Sequence, residues 1–494
     1  MPEQNDKTSS YRSIFKATSL FGGIQIYQII IGVIRSKFVA VLLGPAGIGI
    51  QGLYLSAIQL IQEFSSFGLS RSSVRNVSEA NGTGDIKHIS RTIAVVKRLV
   101  WITGLLGLTV TVILSPILSK TTFGNYDYTI PFIFLSITLL LDQLSTGQKV
   151  VLQGMRRLKY LAKSTAIGST VGLIVSIPLY YLLGVKGIVP TLILNSVTTL
   201  CLTWYFSKKV KIEKNIVTNK QTLQEGKSML KMGLAMSISS ILSLAFAYIL
   251  RGFIRHEGGV EQVGLFTAGF AILNTSVGMI FNAMITDYYP RLAAINKDNY
   301  QCKELINQQC EVGTLIMTPM LLFCLIFMPI IISLLYSKKF LEVNNYIMWA
   351  IPGMLFKLSS WAIAILFVAK GTAKLYVGNE LTGSIMNFVC NMIGYYFWGL
   401  TGLGISFSVG YFIYFVKLYL TAKINYKFAF TVTYRNMYLL SFFLTVVCLF
   451  NMLFLQSSLK YITSIILLSI SFILSIKGLN KRMNILQFLN NHEK

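Results

Sequence analysis

Histidine, cysteine pairs and acidic side chains are what this chain has least of. Its three histidines, His88, His256 and His492, stand far apart and form no HExxH or similar ligand spacing, so a hydrolytic zinc site is unsupported. Cys201, Cys302, Cys310, Cys324, Cys390 and Cys448 include no CxxC pair and read as small hydrophobic side chains, not as disulfides or metal ligands. Asp, Glu, Lys and Arg together make up only 13% of the 494 residues, and 18 acidic residues face 44 basic ones. Long polar loops are missing as well, which leaves no room for a catalytic domain outside the apolar segments. The first thirteen residues, MPEQNDKTSSYRS, lack an apolar stretch and a small-residue cleavage site. No removable signal peptide is expected, and the first apolar segment should act as its own insertion signal.

Apolar sequence fills the space. Hydrophobic residues are 54% of the chain and the mean hydropathy is +0.62, outside the range of soluble globular proteins. The fold class is therefore an all-α polytopic membrane protein. A hydrocarbon core of ~30 Å needs roughly 20 apolar helical residues per crossing. Such runs fall at 14–34, 46–69, 96–118, 128–148, 164–183 and 187–206, then at 228–253, 263–287, 312–335, 344–369, 376–398 and 402–422, and finally at 436–456 and 460–477. These about fourteen segments divide into a first lobe over 1–206, a second over 228–425, and a C-terminal pair with its tail over 426–494. Between the lobes, SKKVKIEKNIVTNKQTLQEGK at 207–227 is too polar to span and reads as a linker or a basic helix at the cytoplasmic membrane surface.

Threading these spans with both termini in the cytoplasm places all but ten of the 44 Lys and Arg on the inner side or at inner helix ends. The net charge of +26 is accordingly assigned to topology and to contact with anionic membrane lipids, not to nucleic acid.

The halves also repeat. Arg35 aligns with Arg251, Gly44 with Gly259, Gly49 with Gly264 and Arg75 with Arg291, at offsets of 215 or 216 residues. Weak internal symmetry in a hydrophobic chain marks a transporter built from two bundles with its binding site between them. Loops of about ten residues are expected after the first and seventh spans.

Charged side chains inside a span cost roughly 2.5–3.5 kcal/mol on insertion scales and face a wet cavity or a partner. Glu63, Asp142, Arg251, Asp287 and Lys357 are such residues, with Arg35, Lys37, Lys149, Arg255 and Arg291 nearer helix ends. Arg35 and Arg251 either snorkel to outer headgroups or face a cavity where their planar forks hold phosphate oxygens bidentately. Lys357 lies halfway along an otherwise uncharged segment. Asp142, two turns before Lys149, is either half of a buried ion pair or an acid that takes up a cation. Glu63 and Asp287 occupy the second segment of each half, at positions that do not align. Arg35, Arg251 and Lys357 are the first candidates for binding pyrophosphate, with Arg255, Lys149 and Arg291 behind them. Asp142, Glu63 and Asp287 are the candidate acids for ion coupling or for lining the cavity.

VLLGPAGIGIQGLY at 41–54, followed by SSFGLSRSSVRNVSEANG at 65–82, resembles the start of Wzx-type O-antigen and enterobacterial common antigen flippases. These belong to the MOP exporter superfamily, with the lipid II flippases and the MATE drug exporters. The motif match covers roughly residues 14–90, and the arrangement of spans extends it loosely to about 425. The added C-terminal pair departs from the twelve-helix core usual in that branch and is similar to the lipid II flippases. The resemblance implies movement of an undecaprenyl-pyrophosphate-linked oligosaccharide across the bacterial inner membrane by alternating access. It also implies a cationic cavity, no cofactor, and a place beside polysaccharide polymerase and chain-length proteins. Membrane potential, protons and sodium all remain open as the driving force. A drug exporter would favour an acidic cavity, and a polymerase or membrane glycosyltransferase would carry a large catalytic outer loop.

Overall fold

The computed structural model describes residues 2–210, 212, 217–455 and 457–483, and among these every regular element is helical. The helices are α1 (Pro2–Ser66), α2 (Leu69–Thr83), α3 (Ile86–Phe123), α4 (Thr129–Gly154), α5 (Leu158–Leu183), α6 (Ile188–Lys208), α7 (Asn219–Ala294), α8 (Asn299–Leu335), α9 (Val343–Ala369), α10 (Ala373–Tyr426), α11 (Val432–Phe454) and α12 (Ser457–Met483). In hydrocarbon the backbone N–H and C=O groups must pair within the segment, which is why the apolar runs become helices. Ten stretches of the described chain are long and apolar enough to cross a membrane.

Four of these stretches hold 40, 51, 40 and 53 residues, or roughly 60–80 Å of helix at 1.5 Å per residue. Each is interrupted at a glycine. Gly44 has φ 66° and ψ −173°, and Gly259 has φ 82° and ψ 176°. Gly184 has φ 54° and ψ −133°, and Gly399 has φ 55° and ψ −136°. A side chain is strained at such angles, so only glycine breaks the helix there without cost. Each pair lies 215 residues apart with nearly equal angles, so the repeat read from a few identities is built into the backbone. The two loops of about ten residues expected after the first and seventh spans are replaced by these single-residue breaks at Gly44 and Gly259. Helical bonding continues to the glycine, and Pro45 restarts the first helix where its missing N–H does no harm.

The break in α10 folds the helix back on itself. Glu380 meets Tyr414, Asn391 accepts from Ser406 at 2.7 Å, and Gly394 packs on Gly402, an antiparallel register centred near Gly399. In α1, Arg35 before the break and Gln51 after it both reach the Tyr180 hydroxyl of α5. Asp85 and Asp298 cap α3 and α8 by accepting from backbone N–H groups, a matched start for these two long helices.

The chain clusters into two compact units, Met1–His256 and Glu257–Lys494. In the first, α3 and α4 form a hairpin fastened by Gln143 donating to Thr103 at 2.9 Å, and Tyr54, Phe123, Tyr128 and Phe132 pack ring against ring at one end. The first part of α7 runs beside α3 in the same direction. Glu225 pairs with Arg91, Gly226 packs on Leu99, and Tyr248 bonds Thr121 and Thr122. Of the basic stretch 207–227, residues 219–227 therefore belong to α7, while 211 and 213–216 lie outside the described residues.

In the second unit α9 is central, with 72% of its apolar window buried. The later part of α7 runs parallel to it, through Tyr288 donating to the Ala362 carbonyl at 2.8 Å and Asn296 to the Ala369 carbonyl at 3.0 Å. The C-terminal pair packs on α8, where Arg482 of α12 bonds Glu311 at 2.6 Å.

A Cβ on Gly402 would collide with the Gly394 carbonyl, whereas a Cβ on Gly378 of the same helix meets nothing within 4 Å. Gly402→Val is expected to destabilise the protein by about 3 kcal/mol or more, and Gly378→Ala to leave it unchanged. Unfolding temperatures of the two purified variants in one detergent check the contrast.

Candidate functional site: charges within the helices

The first unit holds six of the candidate residues. Arg35 lies nine residues before the Gly44 break and Arg251 eight before Gly259, so they occupy matching depths, about 12–14 Å of helix from their breaks. Both are partly buried. The Arg35 guanidinium bonds the Tyr180 hydroxyl, and Gln51 donates to the same hydroxyl at 3.4 Å. Arg251 donates to the Ala247 carbonyl one turn back at 3.2 Å, among other contacts. Arg255, a turn further on, donates to the Phe123 carbonyl at 2.9 Å and so caps the C-terminal end of α3, where the helix dipole favours a cation.

Asp142 and Lys149 sit on one face of α4, and Ser196 of α6 donates to the Asp142 carboxylate. Glu63, near the end of α1, stands 3.7 Å from the guanidinium of Arg71 in α2. Arg71 in turn donates to the Met236 carbonyl at 2.8 Å and to the Ser240 hydroxyl at 2.9 Å, both on α7. Together with Ser239, Ser243 and Leu244 these side chains bound an open cavity of about 390 Å³.

The second unit holds Lys357, Arg291 and Asp287. Lys357 lies partly buried on α9, its ammonium 5.3 Å from the centre of the Tyr411 ring and 5.8 Å from that of Phe407. A cation over two ring faces is held by their quadrupoles. Arg291 is exposed near the end of α7, and the side chain of Asp287 lies outside the described residues.

Reading the residues one at a time misses a relation between the units. Asp142 and Lys357 are 215 residues apart, and so are their neighbours Ser196 and Tyr411. The same position of the repeat therefore carries an acid in α4 and a base in α9, each facing the same position of the following helix pair. Identity comparison cannot show this because neither residue is kept. Arg71 and the serines of SISSILS at 237–243 are also absent from the sequence-based site. Their signal is polar residues at helical spacing in an apolar run, with Ser239, Ser240 and Ser243 falling on one side of α7.

If the Asp142 carboxylate and Lys149 ammonium stabilise each other, removing one leaves the other uncompensated. Asp142→Asn and Lys149→Met are each expected to lower the unfolding temperature, and the double variant to lose less than the two losses combined, with a coupling of about 0.5–3 kcal/mol. A double-mutant cycle on the purified protein measures it, and additive losses would show that the residues act independently.

Comparison with known proteins agrees with this architecture. A multidrug-resistance MATE family transporter of the MOP superfamily, in its inward-facing conformation, superposes with a TM-score of 0.64 at 15% identity, covering 81% of this chain and 94% of that one. The lipid II flippase MurJ in an inward closed conformation gives 0.65 at 14% identity, over 94% of this chain and 99% of that one. A mutant of the Vibrio cholerae MATE transporter VcmN gives 0.55 at 15% identity, over 86% and 98%. At these identities the likeness is one of fold. No curated protein sequence matches the chain. The sequence profile described as "Polysaccharide biosynthesis protein" matches residues 38–345, more than half of the chain, which therefore belongs to the polysaccharide biosynthesis protein family.

Proposed function

We propose that this protein moves an undecaprenyl-pyrophosphate-linked oligosaccharide from the cytoplasmic to the periplasmic leaflet of a bacterial inner membrane. The observation that carries the reading is the union of a MOP-type fold with basic side chains inside its helices, in a chain of the polysaccharide biosynthesis family. Pyrophosphate and glycan cannot cross ~30 Å of hydrocarbon unaided. Fixed cations in a hydrated path replace the water, and the prenyl tail stays in lipid. Arg35, Arg251 and Lys357 contact the pyrophosphate, while Lys149, Arg255 and Arg291 contribute long-range positive potential. Counting each glycine-broken stretch as two crossings gives fourteen spans, with both termini cytoplasmic. Basic groups outnumber acidic ones among these positions, which argues against a drug exporter for cationic compounds.

Lipid II is the second substrate reading. MurJ covers a larger share of this chain than the MATE transporters do, and the difference is comparable in size to the α11–α12 section.

Expression in strains lacking their own O-antigen flippase or their own lipid II flippase separates these outcomes. The first strain is expected to regain surface glycan and lose its accumulated lipid-linked precursor, and the second to stay unrescued. Arg251→Ala should abolish glycan display while protein levels hold, and normal display from that variant removes Arg251 from the path.

An anionic headgroup moves outward downhill when the outside is positive, by ~2.3 kcal/mol per charge per 100 mV. Flipping in vesicles should then rise with imposed potential. A flat response would leave protons or sodium, with Asp142 or Glu63 as carrier.

A further inference from the structure

The cavity at the far end of α1 has a chemistry that pyrophosphate binding does not use. Glu63 lies nineteen residues past the Gly44 break, about 28 Å along the helix. α1 runs antiparallel to α3, with Ser65 packed on Gly107, and Ser239–Leu244 of α7 precede Tyr248, which bonds Thr121 and Thr122. The basic start of α3 at Lys87, Arg91, Lys97 and Arg98 therefore lies further toward the cytoplasm than the cavity. The cavity of about 390 Å³ lies within the range of small-ligand sites.

Its walls are balanced in charge. The Arg71 guanidinium offsets the Glu63 carboxylate at 3.7 Å, so the lining carries no net charge. Hydrogen-bonding capacity nevertheless remains. Among the described residues the Glu63 carboxylate accepts no side-chain hydrogen bond, the 3.7 Å contact being too long for one. The Ser239 hydroxyl also has no hydrogen-bond partner there, and Ser243 donates to the Ser239 carbonyl at 2.9 Å, leaving its oxygen able to accept. Arg71 is held in place by Met236 and Ser240, and the close approach of Gly68 to Gly233 fixes α2 against α7. Leu244 supplies one apolar wall. A preorganised carboxylate, a guanidinium with spare N–H groups, hydroxyls that both donate and accept, and an apolar wall together match a neutral polyol ring, with its hydroxyls on the polar groups and its C–H face on the leucine.

We propose that this cavity is a sugar subsite, binding a ring of the lipid-linked glycan partway along the spans and setting which sugars the protein accepts. The assignment rests on the flippase reading, which supplies the glycan. Glu63 and the serines are specificity residues, distinct from the cations that contact pyrophosphate.

The test uses the full chain in nanodiscs with two kinds of probe. One is undecaprenyl pyrophosphate, and the other is a panel of undecaprenyl-pyrophosphoryl monosaccharides bearing N-acetylglucosamine, N-acetylgalactosamine, glucose or galactose. Ser243 is exposed, so Ser243→Cys is expected to fold and to react with a hydrophilic maleimide, read at that peptide by mass spectrometry. At least one sugar-bearing lipid should slow its labelling, and the bare lipid should not. Glu63→Gln should weaken binding of that same lipid by about tenfold, the loss of a hydrogen bond to a charged group, while binding of undecaprenyl pyrophosphate stays as it was. Equal labelling with every lipid, or equal weakening of bare and sugar-bearing lipids, overturns the subsite and leaves the flippase reading intact. Failure of all the lipids, bare one included, to bind the unmodified protein overturns the flippase reading and the subsite with it.

Discussion

The backbone hydrogen bond is the constraint on which this structure rests. In an apolar medium an unpaired N–H or C=O costs several kcal/mol, so the chain stays helical for as long as it can and reverses in as few residues as possible. Gly44, Gly184, Gly259 and Gly399 serve this end. Each adopts a positive φ that a side chain resists, and each lets helical bonding run up to the turn from both sides. Polar loops are short for the same reason that loops expected after the first and seventh spans are missing altogether. The antiparallel register of α10, from Glu380–Tyr414 through Asn391–Ser406 to Gly394–Gly402, follows from one such residue and from the small side chains beside it.

A duplicated backbone need not carry duplicated chemistry. Gly44 and Gly259 share one conformation, Gly184 and Gly399 another, and α4 and α9 start and end at corresponding positions. Within that frame Asp142 and Lys357 occupy the same place with opposite charge. Backbone geometry is held by packing and hydrogen bonding, to which a side chain partway along a helix contributes little. Its charge is free to diverge, and each divergence is accommodated locally: Ser196 and Lys149 answer the acid, while the Tyr411 and Phe407 rings answer the base.

The helical class, the apolar segments and the repeat were legible because hydrophobic runs and glycine positions are printed in the residue order. The repeat was seen at Arg35/Arg251 and Gly44/Gly259, where identity survives. At Gly184/Gly399 identity also survives, flanked by Tyr180/Tyr395, Tyr181/Tyr396 and Gly187/Gly402 at the same offset, a match that lies outside the stretch centred on the arginines. The partners of the charged residues were not legible. That Arg255 caps α3 through the Phe123 carbonyl, 132 residues away, depends on α7 lying along α3, and nothing in the local sequence of either helix specifies that neighbour. Arg71 went unnoticed for a different reason. In GLSRSSVR it reads as an ordinary basic residue at a membrane surface, and only the position of α7 turns its guanidinium toward Met236 and Ser240.

Arg71 also marks a bend in the chain. Phe67 and Gly68 both have positive φ, 50° and 61°, and separate α1 from α2. A bulky residue held at positive φ is strained, and a strained bend persists only where surrounding contacts maintain it. Here the contact is backbone on backbone, since a Cβ at Gly68 or at Gly233 would strike the other strand of the pair of helices. The bend redirects α2 so that Arg71 faces α7 and stands opposite Glu63, and it opens the cavity that these residues share with Ser239 and Ser243. A straight helix would continue past this point without forming that angle. The bend is therefore the structural cause of the polar cavity, and its local strain is tolerable because the close Gly68–Gly233 approach and the hydrogen bonds of Arg71 act at the same place.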